Sequence, residues 1–357
     1  MRVLLFEDAQ TIEVRGGGPD AQRVEPADGD GLSVAGRRRP APARWRARGP
    51  DGILTVSRVD LPGSEDWQVR GELEVRRTPE GLAAINVLPL EDYLVATVGA
   101  EMAPGWEPEA LRAQAVASRT YALHQRARRA SEAYDLRADT GSQRYRGVSD
   151  EFPSVQEAVE STRSCRLVHE GRPIIAAFHS SSGGRTASAE EVWGRPVAYL
   201  VSLEVEGEEI SPETYWRVAL PGATLRRALE AAGWEIGRPE RLEILARSES
   251  GRVTRLRVEG GRRTVELSGR ELRQAVGETV LRSTHFSVRP DAEADGQGGF
   301  VFVGTGYGHG VGMSQWGARA LAARGLGHED ILATFYPGTR LASCETPPAV
   351  AREGRSR

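Results

Sequence analysis

The chain has 357 residues and a formal net charge of −3, with 39% hydrophobic and 27% charged residues, an ordinary globular balance that suits two domains or one large domain with an insertion. The small negative charge speaks against a dedicated nucleic-acid binder, so no nucleic-acid partner is expected. All 47 Lys+Arg positions are Arg, which removes P-loop, Schiff-base and kinase chemistries that need a lysine amine.

The start, Met1-Arg2-Val3-Leu4-Leu5-Phe6-Glu7-Asp8, is too short in apolar residues for a signal-peptide core. No stretch approaches the roughly 20 apolar residues of a membrane span. The chain therefore reads as soluble, with no export signal of its own. Residues 1–88 are expected to be β-rich, because short apolar runs (Val3–Phe6, Ile53–Val56, Leu73–Val75, Ala83–Leu88) alternate with Gly, Pro and Asp. The segment from Gly16 to Pro50, dense in Gly, Pro and Arg, reads as long turns with strands whose positions the pattern does not mark.

The period then changes to 3.6. Pro89 opens a helix with Leu90, Leu94 and Val98 on one stripe, ending near Gly99–Met102. A second helix starts near Pro108, with Leu111, Ala115, Ser118 and Ala122 on a narrow face and Arg126, Arg128 and Arg129 at its end. Leu167–Phe178 reads as a hairpin around Glu170-Gly171, followed by a Ser/Gly loop and a short helix near Ser188–Trp193. Residues 204–288 carry an αβ rhythm of their own. Helices are expected at Thr224–Ala232 and Ser268–Val276, and strands Leu242–Ser248 and Val253–Val258 are expected to pair. A strand at Phe300–Val303, a glycine-alternating loop and a helix at Ser314–Arg324 complete the pattern. The fold class is thus mixed α/β (α+β). The expected divisions are a β-rich portion at 1–88, a helical core at 89–203, an inserted αβ subdomain at 204–290, the rest of the core at 291–345, and a polar tail at 346–357.

Three segments carry candidate chemistry. Glu101 follows an apolar helix just before a Pro/Gly break, where a carboxyl against apolar surface becomes a better general acid. The run His179-Ser180-Ser181-Ser182-Gly183-Gly184-Arg185-Thr186 offers hydroxyls and glycines as a floor for a polar ligand. It suits a tight turn equally well. The run from Gly304 to Gly312 alternates glycine with other residues, which lets backbone approach a ligand closely, with Tyr307 and His309 projecting and Gln315 just beyond. Neither G-x-S-x-G nor G-x-G-x-x-G occurs in these runs. His179 and His309 without an evident third ligand make no metal site, and no cofactor is expected. Cys165 and Cys344 read as two small buried residues, with a disulfide as the alternative for an exported chain.

Together these segments resemble the stage II sporulation protein D family, also called the SpoIID/LytB family. The motifs are LPLEDYL…EM at 88–102, LRAQAVASRTYAL at 111–123, HSSSGGRT…EEVWG at 179–194, GYGHGVGMSQWGA at 306–318, and Tyr336-Pro337-Gly338-Thr339. The resemblance covers most of the chain after about residue 70. It implies a lytic transglycosylase that cuts denuded peptidoglycan between N-acetylmuramic acid and N-acetylglucosamine, with Glu101 as the catalytic acid/base. It also suggests Arg119, Tyr121, His179, Ser181, Gly183, Tyr307, His309 and Gln315 as substrate contacts, with residues near 306–315 folded back against 101–121. The family implies a cell-envelope or extracellular setting. A zinc site that some relatives carry near the HSxSGG loop is not carried over, because Ser180, Ser181 and Ser182 stand there. The alternative is a non-catalytic glycan binder that enhances a cell-wall amidase, which would then be a partner.

Overall fold

The computed structural model describes residues 1–18, 20–49, 51–139, 141–291, 298–342 and Cys344. The polar tail expected at 346–357 lies outside the described residues. The fold is mixed α/β, and the described residues form two compact units, Met1–Ile175 with Leu341, Ala342 and Cys344, and Ala176–Arg340.

The first unit begins as expected, in β structure. Strands Arg2–Ala9, Leu82–Val87 and Glu72–Arg77 run antiparallel in one sheet, flanked by Ala43–Arg46 and by Leu136–Arg137. Their alternation buries Leu4, Leu73, Val75 and Ile85. A second, antiparallel sheet has the order Arg37–Pro40, Gly31–Val34, Gln22–Pro26, Ile12–Arg15, Ile53–Arg58, Trp67–Arg70. The strands expected but not placed between Gly16 and Pro50 are four short ones, Gln22–Pro26, Gly31–Val34, Arg37–Pro40 and Ala43–Arg46. Arginines facing solvent hid their apolar alternation, most of all in the fully exposed edge strand Arg37–Pro40.

Three helices follow: α1 (Leu90–Glu101), α2 (Pro108–Arg128) and α3 (Pro153–Ser161). Pro89 caps α1, and Pro108 opens α2 at a position where a missing N–H costs nothing. Sequence spacing gave α2 one narrow face, yet it is buried almost all round from Ala110 to Thr120. It packs on α1, α3 and the strand Arg166–His169. Small side chains at Ala113, Ala115, Ala117 and Ser118 permit that close approach. The expected hairpin survives as Arg166–His169 paired with Arg172–Pro173. The three-residue strand Arg340–Ala342 joins the same sheet and brings Cys344 to Cys165, where they form a disulfide across 179 residues of sequence. The reading of two free buried cysteines is corrected by that strand pairing, which sequence separation concealed.

In the second unit, helices α4 (Ala189–Trp193), α5 (Gly222–Ala231), α6 (Gly269–Val276), α7 (Gln315–Ala323) and α8 (His328–Phe335) accompany two three-stranded sheets. One sheet joins Trp216–Pro221, Gly299–Gly304 and Phe286–Pro290, and the other joins Pro239–Arg247, Val253–Gly260 and Thr264–Leu267. Their shared core includes Trp216, Leu225, Leu256, Phe286 and Phe302. Ser268 caps α6 in a reciprocal capping box with Glu271, as its position before the apolar period implies.

Candidate functional site

Glu101 is the last residue of α1, half-buried, and one carboxylate oxygen accepts the backbone N–H of Arg144 at 2.8 Å. The segment that delivers this amide is fastened on both sides. Buried Gln143 accepts the Tyr93 hydroxyl at 2.9 Å and donates to the Ser118 carbonyl at 3.4 Å. Buried Tyr145 donates to Asn86 Oδ1 at 2.6 Å, and its ring stacks on Tyr93 with centroids 5.5 Å apart. Asn86 in turn donates to the carbonyls of Arg70 and Glu72. The β-sheet portion thus fixes the loop that fixes Glu101. Neither Gln143 nor Arg144 stood out in the sequence; only the buried–exposed alternation of Gln143, Arg144, Tyr145, Arg146 and Gly147 could have flagged the segment.

Arg119 is not beside Glu101. Its guanidinium is 1% exposed, and its donors go to Glu91 (3.0 and 2.6 Å), Thr162 Oγ1, and the carbonyls of Cys165 and Val159. Glu91 opens α1 and Glu101 closes it, about 15 Å apart along the axis at 1.5 Å per residue. Arg119 is thus a buried cation paired with Glu91, on a stretch of α2 that is buried almost all round. Tyr121 is half-buried on α2, and burial raises its phenol while the Gln125 side chain and the cations Arg128 and Arg129 oppose the rise.

The other candidates converge within the second unit. Phe178 and His179 pair in parallel with Met313 and Ser314, and Ser181 and Tyr307 exchange backbone hydrogen bonds of 3.0 and 2.8 Å. The His179 and His309 rings lie 5.6 Å apart, and Trp193 lies 6.1 Å from His309. Val311 sets both tautomers. Its carbonyl takes the Nδ1–H of His179 at 3.2 Å, while its N–H donates to Nδ1 of His309 at 3.0 Å. Both imidazoles are held neutral. Burial, then His309 and Arg252, puts His179 well below the ordinary histidine value, while burial, then Arg273 and Arg252, lowers His309 to about 4. Among the described residues, His179 Nε2 and Ser181 Oγ are buried with no hydrogen-bond partner.

The alternating glycines serve this packing. A Cβ on Gly312 would collide with the Ala177 carbonyl, and one on Gly308 would lie 2.8 Å from His179 Cβ, both at positive φ. At Gly306, Gly308 and Gly312 the close approach is to the 177–183 segment, whereas Gly310 abuts the Arg252 guanidinium. Gly183 likewise has φ +73°, with Thr305 Oγ1 2.6 Å from where a Cβ would stand. Gln315 is buried at the start of α7, whose cap is Ser314. The residue that sequence reasoning missed here is Glu208. Its buried carboxylate accepts from Ser182 N–H (2.6 Å), Ser182 Oγ (2.5 Å), Gly184 N–H (2.8 Å) and Ser314 Oγ. One side chain therefore ties the serine loop to the glycine loop. It sits in an acidic run, Glu204–Glu209, that reads as solvated surface.

Residues 78–169, which contain Glu101 and its Arg144 amide, match the family described as Stage II sporulation protein. The chain is 32% identical over 260 residues to an uncharacterised protein of Brachyspira hyodysenteriae, covering 72% of this chain and 67% of that one. It is 29% identical over 281 residues to stage II sporulation protein D of Bacillus amyloliquefaciens, covering 74% and 77%. The chain belongs to the SpoIID/LytB family. Within that family it is also 26% identical over 292 residues to the amidase enhancer of Bacillus subtilis, covering 68% of this chain and 39% of the enhancer. Residues 200–312 match a domain of unknown function, DUF8618. These likenesses give this SpoIID-family chain a cell-wall-related role. No helix among the described residues is long and apolar enough to cross a membrane.

Proposed function

We propose that the protein is a peptidoglycan lytic transglycosylase acting on denuded glycan strands in the cell envelope, with Glu101 as its one acid/base. The observation that carries this reading is the placement of Glu101: the carboxylate closes α1 inside the family-matched segment, with one oxygen accepting the Arg144 amide. An amide N–H can only donate, so the oxygen it meets serves as acceptor, which suits carrying the acid proton on the other oxygen. In the reaction Glu101 protonates the oxygen leaving C1 of the N-acetylmuramyl residue. The C6 hydroxyl of that residue attacks C1, and the Glu101 carboxylate takes its proton. The glycosidic C–O bond is exchanged for an internal one, giving a 1,6-anhydro end, and no water is consumed. A hydrolase would need a second carboxyl to activate water, whereas this transfer needs one. His179, Ser181, Gly183, Tyr307, His309 and Gln315 are proposed to contribute the polar surface for the strand, and Tyr121 a further contact. The disulfide between Cys165 and Cys344 supports an oxidising, exported setting.

A second reading is favoured by the amidase-enhancer relative: a glycan-binding protein that stimulates a partner amidase without cutting glycan. Glu101→Gln separates the two. The transglycosylase loses turnover and keeps strand binding, whereas an enhancer keeps its stimulation of amidase.

A further inference from the structure

We propose that Arg144 is a specificity determinant that reads the free lactyl carboxylate of N-acetylmuramic acid, and so makes the Glu101 site prefer strands whose stem peptides have been removed. This rests on the glycan-directed reading above. Arg144 is placed with unusual definition for a surface arginine. Its neighbours Gln143 and Tyr145 are each 1% exposed and fastened by the hydrogen bonds already described, and its own amide is bonded to Glu101. The Arg144 backbone is thus held against the catalytic carboxyl while its side chain faces solvent. The other arginines of this region are neutralised: Arg146 pairs with Glu65 at 3.2 Å, and Arg137 with Glu7 at 2.9 Å and Asp139 at 3.1 Å. Among the described residues, the Arg144 guanidinium has no ion-pair or hydrogen-bond partner.

The chemistry of the substrate supplies the complement. The muramyl ring that reacts at C1 carries its lactyl ether on O3, so a carboxyl group hangs one ring's width from the oxygen that Glu101 protonates. That distance lies within the reach of an arginine rooted beside Glu101. In a denuded strand the group is a carboxylate, which a guanidinium binds through two parallel charge-assisted hydrogen bonds. With a stem peptide attached it is a neutral amide, and that fork has nothing anionic to meet.

The test uses the full chain carrying Glu101→Gln, so that strands are bound and not cut. Its affinity is measured for denuded strands and for the same strands with their lactyl carboxylates converted to methylamides. The expected preference for the free carboxylate is about two- to fivefold, the scale of a solvent-exposed charge pair. Adding Arg144→Gln, which keeps the backbone amide, should bring the ratio to one while leaving methylamide-strand affinity unchanged. Arg144→Lys should retain part of the preference. Equal affinity for the two strands, or a preference that persists without Arg144, overturns the assignment. Binding of neither strand overturns it together with the glycan reading. A preference that vanishes with Arg144→Gln, in a protein whose unmutated form cuts no strand, upholds Arg144 and overturns only the transglycosylase reading.

Discussion

Replacing Arg119 by Met tests whether this residue supports the first unit from within or meets sugar from outside. The substitution keeps much of the side-chain volume and removes every donor. Glu91, whose side chain is 18% exposed, loses its partner, and the carbonyls of Val159 and Cys165 lose theirs. Breaking a buried ion pair from one side typically costs 3–5 kcal/mol. Glu91 can turn partly to water, which favours the lower part of that range, but the two orphaned carbonyls add to it. A loss of about 4 kcal/mol is expected, or roughly 10 °C in the unfolding midpoint of a unit this size. Urea unfolding followed by tryptophan fluorescence reads the stability, and strand affinity is measured at a temperature where the variant is folded. Arg119→Met with Glu91→Leu should recover much of the loss, because both charges then leave the interior together. A variant of unaltered stability whose strand affinity falls tenfold would refute this account and restore Arg119 as a substrate contact.

The neutral histidines give the second unit an acid limit. Burial lowers His309 and His285 to about 4, and His179 well below its ordinary value, so below about pH 6.5 the unfolded chain takes up protons that the folded unit refuses. Stability should therefore be full above pH 6.5 and fall toward pH 4, by up to about 3 kcal/mol for His309 alone. His309→Gln should flatten that slope in pH-resolved thermal unfolding, and an unchanged slope would contradict it. Gly312→Ala, which meets the Ala177 carbonyl, should destabilise the second unit by well over the cost of positive φ alone. Gly184→Ala, with φ +96° and open space around it, should cost only about 1–2 kcal/mol, and equal losses at the two sites would contradict the packing role. Glu208→Ala should release the serine loop from Ser314, seen as faster amide exchange at Ser182 and Gly184, whereas unchanged protection would contradict the tie.

What was legible in the sequence is what rests on local pattern. The period change after Leu88 gave α1 and α2, the Ser268 cap gave α6, and the paired apolar runs at 242–248 and 253–258 gave a hairpin. Helix α3 and helix α8 passed unread, as did the short arginine-bearing strands, because polar outer faces left too few apolar positions to mark a period. In the candidate site, Glu101 is legible only through its motif, and the 5.6 Å approach of the His179 and His309 rings joins segments 130 residues apart that share no local pattern. The burial of Arg119 carries no local signal, because the enclosure of α2 between Ala110 and Thr120 is a property of its neighbours. The long-range acceptors and donors that set the site, Glu208, Gln143 and the Arg144 amide, carry no sequence signal of their own.

The central claim is that Glu101 drives an internal transfer and not hydrolysis. Purified denuded strands incubated with the protein, followed by mass spectrometry of the new ends, test it most directly. The account expects each new muramyl end to be the 1,6-anhydro form, lighter by one water than a reducing end. It also expects turnover to fall by about 10²–10⁴-fold in Glu101→Gln, the scale of general acid catalysis. Reducing ends would mean that water is the nucleophile and that a second carboxyl acts, with Glu190 or Glu191 the first to be tried. Undiminished cleavage by Glu101→Gln would contradict the assignment outright.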